Sequence, residues 1–286
     1  MGILDGKTAV VTGAAVGLGN AFARALADEG AALAVCDVRP DIEGFADQVN
    51  VPVLAAQADV SDAEAVRGFI GQTLQRFGRT DVLVSNAGVW AASEASDPID
   101  KTLRDAASLI GTNLKGVFLC GRAVIPAMIR QGGGHIININ TDHLHTCGSP
   151  YEEPHDDAPN CPFLDIAPRP TGGGPAMDLY DAAKWGINGL TFGWCQALKP
   201  HNIRVNALCM GATDSYMLRS FHNFDPPPEE VASWMKAEDI ARVMIELIAE
   251  GPQGRTGENI GFAMGHPVVL PPPRGNRYFM SAEDAS

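Results

Sequence analysis

The strongest constraint on this chain is a glycine-rich turn set between an apolar run and an amphipathic one. Lys7–Thr12 reads KTAVVT, a continuous apolar stretch of strand length. Gly17–Glu29 carries Leu18, Phe22, Ala25 and Leu26 on one helical face. Gly13-Ala14-Ala15-Val16-Gly17-Leu18-Gly19 joins them. A turn with few side chains lets the backbone approach a pyrophosphate closely, and a helix opening there points unsatisfied amides and a positive dipole end at it. Gly13, Ala15, Val16, Gly17, Leu18 and Gly19 are therefore candidate cofactor-binding positions.

The same alternation continues. Strands are predicted at Ala31–Cys36, Val53–Ala58, Asp81–Ser85, His135–Asn140, Arg204–Leu208 and Asn259–Phe262. Helices are predicted from Ser61, as N-cap with Glu64 at capping-box spacing, towards Phe77, and over Leu109–Arg130, Tyr180–Leu198 and Ala237–Glu250. Strands that are apolar throughout belong to a parallel sheet covered on both faces. The predicted fold is α/β, a single Rossmann-type doubly wound parallel sheet flanked by helices on both faces. One domain over residues 1–286 accommodates this, and its ligands belong at the carboxyl ends of the strands, near the point where strand order reverses.

Asp37 closes the second predicted strand, 18 positions after Gly19 (37 − 19). A carboxylate there accepts hydrogen bonds from adenosine ribose hydroxyls and repels a 2′-phosphate; the plainer alternative is that it only starts a turn. The adjacent Val38 brings no cation, nor do Ala14, Ala15 or Val16, and Arg39 is the one nearby group able to bind that phosphate. The expected cofactor is NAD.

Composition removes several function classes. The formal net charge is −13, which repels phosphate backbones and argues against a nucleic-acid partner. No apolar run is long enough to span a bilayer, so no membrane role is expected. The six cysteines are scattered and the start has no signal-peptide pattern, which makes a cytoplasmic location the expectation.

With these residues in hand, the chain resembles the short-chain dehydrogenase/reductase family from about Lys7 to Gly265. The pattern T-G-x-x-x-G-x-G at Thr12–Gly19, Asp59-Val60, and Asn86-Ala87-Gly88 after the fourth strand all match it. The resemblance implies that Asp59 and Val60 lie against the adenine and that Asn86, Ala87 and Gly88 border the cofactor. It implies that Tyr180 and Lys184 form a Y-x-x-x-K pair contacting both reactants. At i and i+4 of a helix they share a face, and positive charge beside a phenol favours phenolate, which suits Tyr180 to acid/base work. Chance spacing on an amphipathic helix is the alternative for the pair taken alone. By resemblance, Thr141 stands where the family usually has Ser and would bond the substrate oxygen. Asn113, a helix-kinking asparagine, would hold a water leading to Lys184. Gly211 and Thr213, in a loop where Met210 replaces the family's proline, would meet the nicotinamide carboxamide. A homo-oligomer, tetramer or dimer, is implied too, with the helices at Leu109–Arg130 and Tyr180–Leu198 as interface.

The departures bear on substrate. Thr141 and Tyr180 are 39 positions apart (180 − 141), far more than the family usually has, so an inserted loop occupies about 142–179. Along a continuing strand His143 points the same way as Thr141 and is a candidate substrate contact, with a surface position as the alternative. His143, His145, Cys147, His155 and Cys161 fit no familiar zinc spacing, and no metal is expected. A substrate lid is expected at about 214–236 and a tail at 266–286. Trp90, Tyr216, Met217, Phe221, Phe224 and Trp234 are either pocket or core, with Trp90 and Tyr216 as substrate candidates. The expected activity is NAD-dependent interconversion of a secondary alcohol and a ketone on a small cyclic or aromatic molecule. An NAD-binding regulator without turnover, and an isomerase or lyase using NAD transiently, are the alternatives.

Overall fold

A computed structural model describes residues 2–142, 177–262 and 264–273. Seven parallel strands form one sheet: β1 (Thr8–Thr12), β2 (Ala32–Asp37), β3 (Val53–Gln57), β4 (Val82–Ser85), β5 (Gly134–Thr141), β6 (Ile203–Met210) and β7 (Asn259–Phe262). Their spatial order is β3-β2-β1-β4-β5-β6-β7. The order reverses between β1 and β4, so the crevice beyond their carboxyl ends is where a doubly wound sheet takes its ligand.

The interiors of β1, β2 and β4 read as unbroken apolar runs because both faces are covered, and β5 and β6 add buried polar residues. Ala9 and Val11 of β1 face one cluster and Val10 the other; Leu33 and Val35 of β2 oppose Ala34 and Cys36 in the same way. On the first face lie α1 (Gly17–Asp28) and α8 (Ala237–Ala249), contributing Phe22, Leu26, Ile240, Met244 and Leu247. On the second lie α2 (Ala63–Phe77), α4 (Val117–Gln131) and α5 (Asp178–Leu198), contributing Phe69, Val124, Met128 and Leu198. Burying each of these side chains contributes about 1.5–3 kcal/mol.

Several expected boundaries shift for identifiable reasons. The N-cap of α2 is Asp62, not Ser61: Asp62 accepts from the amides of Glu64 (2.8 Å) and Ala65 (3.4 Å), while the Ser61 amide donates to the Asp59 carboxylate. The helix expected from Leu109 begins earlier, as α3 (Ile99–Ile110), and passes through a π-helical turn at Gly111–Gly116 before α4. Strand β6 runs past Leu208 to Met210 because it pairs with β5 along its whole length, Gly134 with Ile203 through Thr141 with Met210. The region expected as a lid holds two short helices, α6 (Tyr216–Ser220) and α7 (Pro228–Ser233).

Beneath the sheet's amino ends, His135 is buried between Arg204 (3.1 Å to Nδ1) and Asn206 (3.0 Å to Nε2). Burial, then the Arg204 charge, hold its pKa well below 6.5. The unfolded chain therefore takes up a proton that the native state refuses, so stability present above pH 6.5 is lost as pH falls through and below that value. Going from pH 7.5 to 5.5, His135 alone should cost about 1 kcal/mol, a few degrees in Tm. Thermal melts of wild type and the non-titrating His135→Gln at both pH values check this; an equal pH-dependent drop in the two proteins would exclude it.

Candidate active site

The glycine turn leaves the end of β1 with two positions that cannot bear a side chain. Gly13 has φ 66°, and a Cβ there would lie 2.8 Å from the Ala87 Cα. A Cβ on Gly19 would run into the Gly13 carbonyl oxygen and sit 2.5 Å from Asn86 Nδ2. Thr12 ties this turn to the one after β4: its hydroxyl accepts from the amides of Asn86 (3.1 Å) and Ala87 (3.0 Å). Asn86 Nδ2 in return donates to the carbonyls of Thr12 and Gly13, both at 3.0 Å. Helix α1 follows from Val16 with no side chain capping its first amides. A bare cradle and an uncapped helix start are the features a dinucleotide pyrophosphate requires. Thr12 opens the T-G-x-x-x-G-x-G pattern, and its part in joining the two turns appears only from these hydrogen bonds.

At the β2 end of this crevice Asp37 is buried, and its Oδ2 accepts from the Ala15 amide at 3.0 Å. Its Oδ1 accepts from the Arg39 amide at 3.1 Å. The Arg39 guanidinium turns away to Asp41, bonding it through Nε (3.1 Å) and Nη2 (2.8 Å). Its other neighbour is the Tyr216 ring, 5.2 Å from ring centroid to guanidinium carbon. Tyr216, expected at the substrate, is thus turned instead to the side of the crevice where Asp37 lies. Ser215 caps α6, and this starts the helix with its first residue beside Gly17. Val38 is exposed. Asp59 fixes the Ser61 amide, and Val60 is buried against the place where a Cβ on Gly116 would stand.

On the other side of the crevice, α5 carries Tyr180 and Lys184 against the carboxyl end of β5. The Lys184 ammonium donates to the Ile139 carbonyl at 2.9 Å and stands 5.5 Å from the Tyr180 ring centroid. Asn140 Nδ2 holds the Lys184 carbonyl at 3.2 Å. Burial lowers the Lys184 pKa to about 8, with a partial offset from Cys209. Desolvation pushes the Tyr180 phenol above its ordinary value, and the charges of Asp181 and Asp142 push it the same way. The protein's own residues therefore favour the protonated phenol, and the expected pull towards phenolate is one that Lys184 would exert together with an oxidised nicotinamide.

Thr141 is the buried last residue of β5, and its hydroxyl donates to Asp142 Oδ1 at 3.2 Å. Asp142 was not among the candidates, yet its carboxylate reaches the loop after β6. Its Oδ2 lies 2.7 Å from where a Cβ on Gly211 would be. Gly211 donates its amide to Phe262, and Thr213 is buried with its hydroxyl on the Gly211 carbonyl at 3.1 Å. Asn113 occupies the π turn, and its side chain clamps the backbone of Val89, accepting from its amide (2.8 Å) and donating to its carbonyl (2.9 Å). This fixes the segment between Gly88 and Trp90.

Trp90 packs at a tilt against Phe221, with ring centroids 4.1 Å apart, and its buried Nε1 has no hydrogen-bond partner among the described residues. The next residues pass the start of α5, where Ser93 bridges Met177 and its hydroxyl accepts from the Leu179 amide. Trp234, by contrast, is buried core. His143 and the other metal-ligand candidates of the insertion lie outside the described residues. Among the described residues no group of three His, Cys, Asp or Glu could hold a metal.

These arrangements accompany a match of residues 7–146 to the short chain dehydrogenase family model, and of residues 169–266 to a model described as enoyl-(acyl carrier protein) reductase. The chain belongs to the short-chain dehydrogenase family. Its fold and nicotinamide-dependent oxidoreductase character follow from that membership. Oxidoreductase UcpA of Escherichia coli is 31% identical over 90% of this chain and 85% of its own length. Trans-4-hydroxycyclohexanecarboxylate dehydrogenase of Sinomonas cyclohexanicum is 30% identical over 91% and 92%. Among solved structures, levodione reductase superposes with a TM-score of 0.73 at 27% identity, covering 91% of this chain and 96% of that one.

Proposed function

We propose that this family member interconverts a secondary alcohol and its ketone with NAD, acting on a small cyclic or aromatic molecule. The observation that carries the reading is the Lys184 ammonium standing 5.5 Å from the Tyr180 ring on a helix packed against β5. Bound nicotinamide supplies the hydride acceptor or donor. Tyr180 moves the proton at the substrate oxygen, Lys184 supplies the positive charge that makes the transfer reversible, and Thr141 holds that oxygen. Asp37 selects NAD, supported by its buried carboxylate beside the turn and by Arg39 being engaged with Asp41. Gly13, Gly19, Asn86, Ala87 and Gly88 shape the cofactor crevice, and Asn113 steadies it through Val89.

For the substrate, Trp90 against Phe221 forms an aromatic wall between the candidate cofactor turn and the start of α5. A flat or chair-shaped ring packs against such a wall with more contact than a linear chain. The names of two relatives, one acting on a hydroxylated cyclohexane and one on levodione, agree with a ring. Exposed Ile99, Leu103, Phe118 and Trp185 on α3, α4 and α5 support self-association.

NADH formation from NAD is the test, with cyclohexanol, 4-hydroxycyclohexanecarboxylate, indanol and straight-chain secondary alcohols supplied in turn. At least one ring alcohol is expected to exceed the linear ones about tenfold in kcat/KM, the discrimination a shaped apolar slot provides. NAD binding without NADH from any alcohol would favour a regulator. Substrate rearrangement without net NADH would favour an isomerase.

A further inference from the structure

The sequence places an aspartate directly after Thr141, and the fold brings its carboxylate between three parts of the candidate site. Asp142 Oδ1 accepts the Thr141 hydroxyl at 3.2 Å. Oδ2 occupies the space that a side chain at position 211 would take, 2.7 Å from the ideal Cβ position there. Thr141 pairs with Met210 across β5 and β6, so the next residues, Asp142 and Gly211, meet where the two strands end. The field of Asp142 also reaches Tyr180 and Cys209, raising both. No ion pair among the described residues neutralises it, and the Lys184 ammonium is directed to the Ile139 carbonyl. A carboxylate has room for about four hydrogen bonds, and among the described residues this one receives the Thr141 hydroxyl.

The geometry points to Asp142 as a positioning residue that makes the protein hold oxidised nicotinamide more tightly than reduced nicotinamide. This rests on the nicotinamide-dependent function proposed above, with the Gly211 loop beside the nicotinamide as the family resemblance implies. An oxidised nicotinamide ring carries a positive charge and a reduced one does not. A fixed negative charge nearby therefore acts on one form and not the other. The glycine at 211 is what allows that charge to come so close to the loop. Holding the oxidised form more tightly shifts the equilibrium on the protein towards carbonyl reduction and leaves the equilibrium in solution unchanged. The same negative charge disfavours substrates with an anionic group close to the carbinol.

Direct titration of NAD and NADH, followed by calorimetry and by NADH fluorescence without substrate, decides the matter. The wild type is compared with the neutral Asp142→Asn and Asp142→Ser, and with the charge-retaining Asp142→Glu. Asn and Ser are expected to lower the ratio of NAD affinity to NADH affinity about fivefold, and Glu to keep it within twofold of wild type. An unchanged ratio in the neutral variants overturns the inference. So does an equal loss in Glu, which would mark a purely structural role. Two neutral variants guard against one failing to fold. If wild type binds neither nucleotide, the underlying cofactor reading has failed, an outcome distinct from nucleotide binding with an unmoved ratio.

Discussion

Replacing Tyr180 with Phe should lower kcat by about a thousandfold while leaving NAD affinity within about twofold of wild type. The substitution removes one oxygen and keeps the ring against which the Lys184 ammonium stands. Packing at the start of α5 is therefore retained and the proton-transferring group alone is lost. A positioned acid or base typically contributes 10²- to 10⁴-fold, and the aliphatic hydroxyl of Thr141 is too weak an acid to take over that role. The environment sharpens the expectation. Desolvation, Asp181 and Asp142 all hold the phenol protonated, which suits it to donate a proton during ketone reduction. For alcohol oxidation the opposing positive charge comes from Lys184 and the oxidised nicotinamide. Steady-state kinetics in both directions, with NAD titration on the same preparation, check the prediction. Turnover near that of wild type would remove Tyr180 from the chemistry, and a parallel loss of NAD binding would assign it to the cofactor site instead.

The parts of this molecule legible in its sequence are those whose physics is local. The turn at Gly13–Gly19 is readable because close backbone approach excludes side chains, and β1, β2 and β4 because burial on both faces leaves their interiors apolar throughout. Tyr180 and Lys184 share a helical face through spacing alone. What escaped depends on partners far along the chain. The π turn at Gly111–Gly116 has no composition of its own; it brings Asn113 to Val89, 24 positions away. Ser61 and Asp62 are equally good caps by type, and the choice falls to Asp62 because Asp59 takes the Ser61 amide. The start of α3 was hidden because its Ile99 and Leu103 face outwards, so their periodicity marks no core. Tyr216 looked like a substrate group by its place after β6, and only the cap at Ser215 and the neighbouring Arg39 show which way it turns. Asp142 reads as an ordinary residue at a strand end. Its one readable signal was a glycine at the matching step of the next strand, which is visible only once the register of β5 against β6 is known.

Cofactor choice gives the second large effect. Asp37→Asn is expected to weaken NAD binding about tenfold and to narrow the preference for NAD over NADP about a hundredfold. The buried carboxylate is held by the Ala15 and Arg39 amides, one on each oxygen. The Asn carbonyl oxygen can keep the Ala15 bond, while its amide nitrogen, a donor, gives up the bond from the Arg39 amide and the negative charge disappears. A hydrogen bond to a charged group contributes about 1.5–3 kcal/mol, and about 1.4 kcal/mol is tenfold in affinity. On the proposed NAD reading, losing bonds to the ribose and losing the repulsion of a 2′-phosphate act in the same direction on the ratio. A residual preference should remain, because the cation nearest that phosphate is engaged: Arg39 bonds Asp41 through two nitrogens. Adding Asp41→Asn should release Arg39 and carry the double variant further towards NADP, whereas Asp41→Asn alone should change little while Asp37 still repels the phosphate. Calorimetric titration of both nucleotides against the wild type, the two single variants and the double variant separates these terms. Tighter NADP than NAD binding by the wild type would overturn the cofactor assignment, and additive, independent effects of the two substitutions would show that Arg39 is not the group Asp41 restrains.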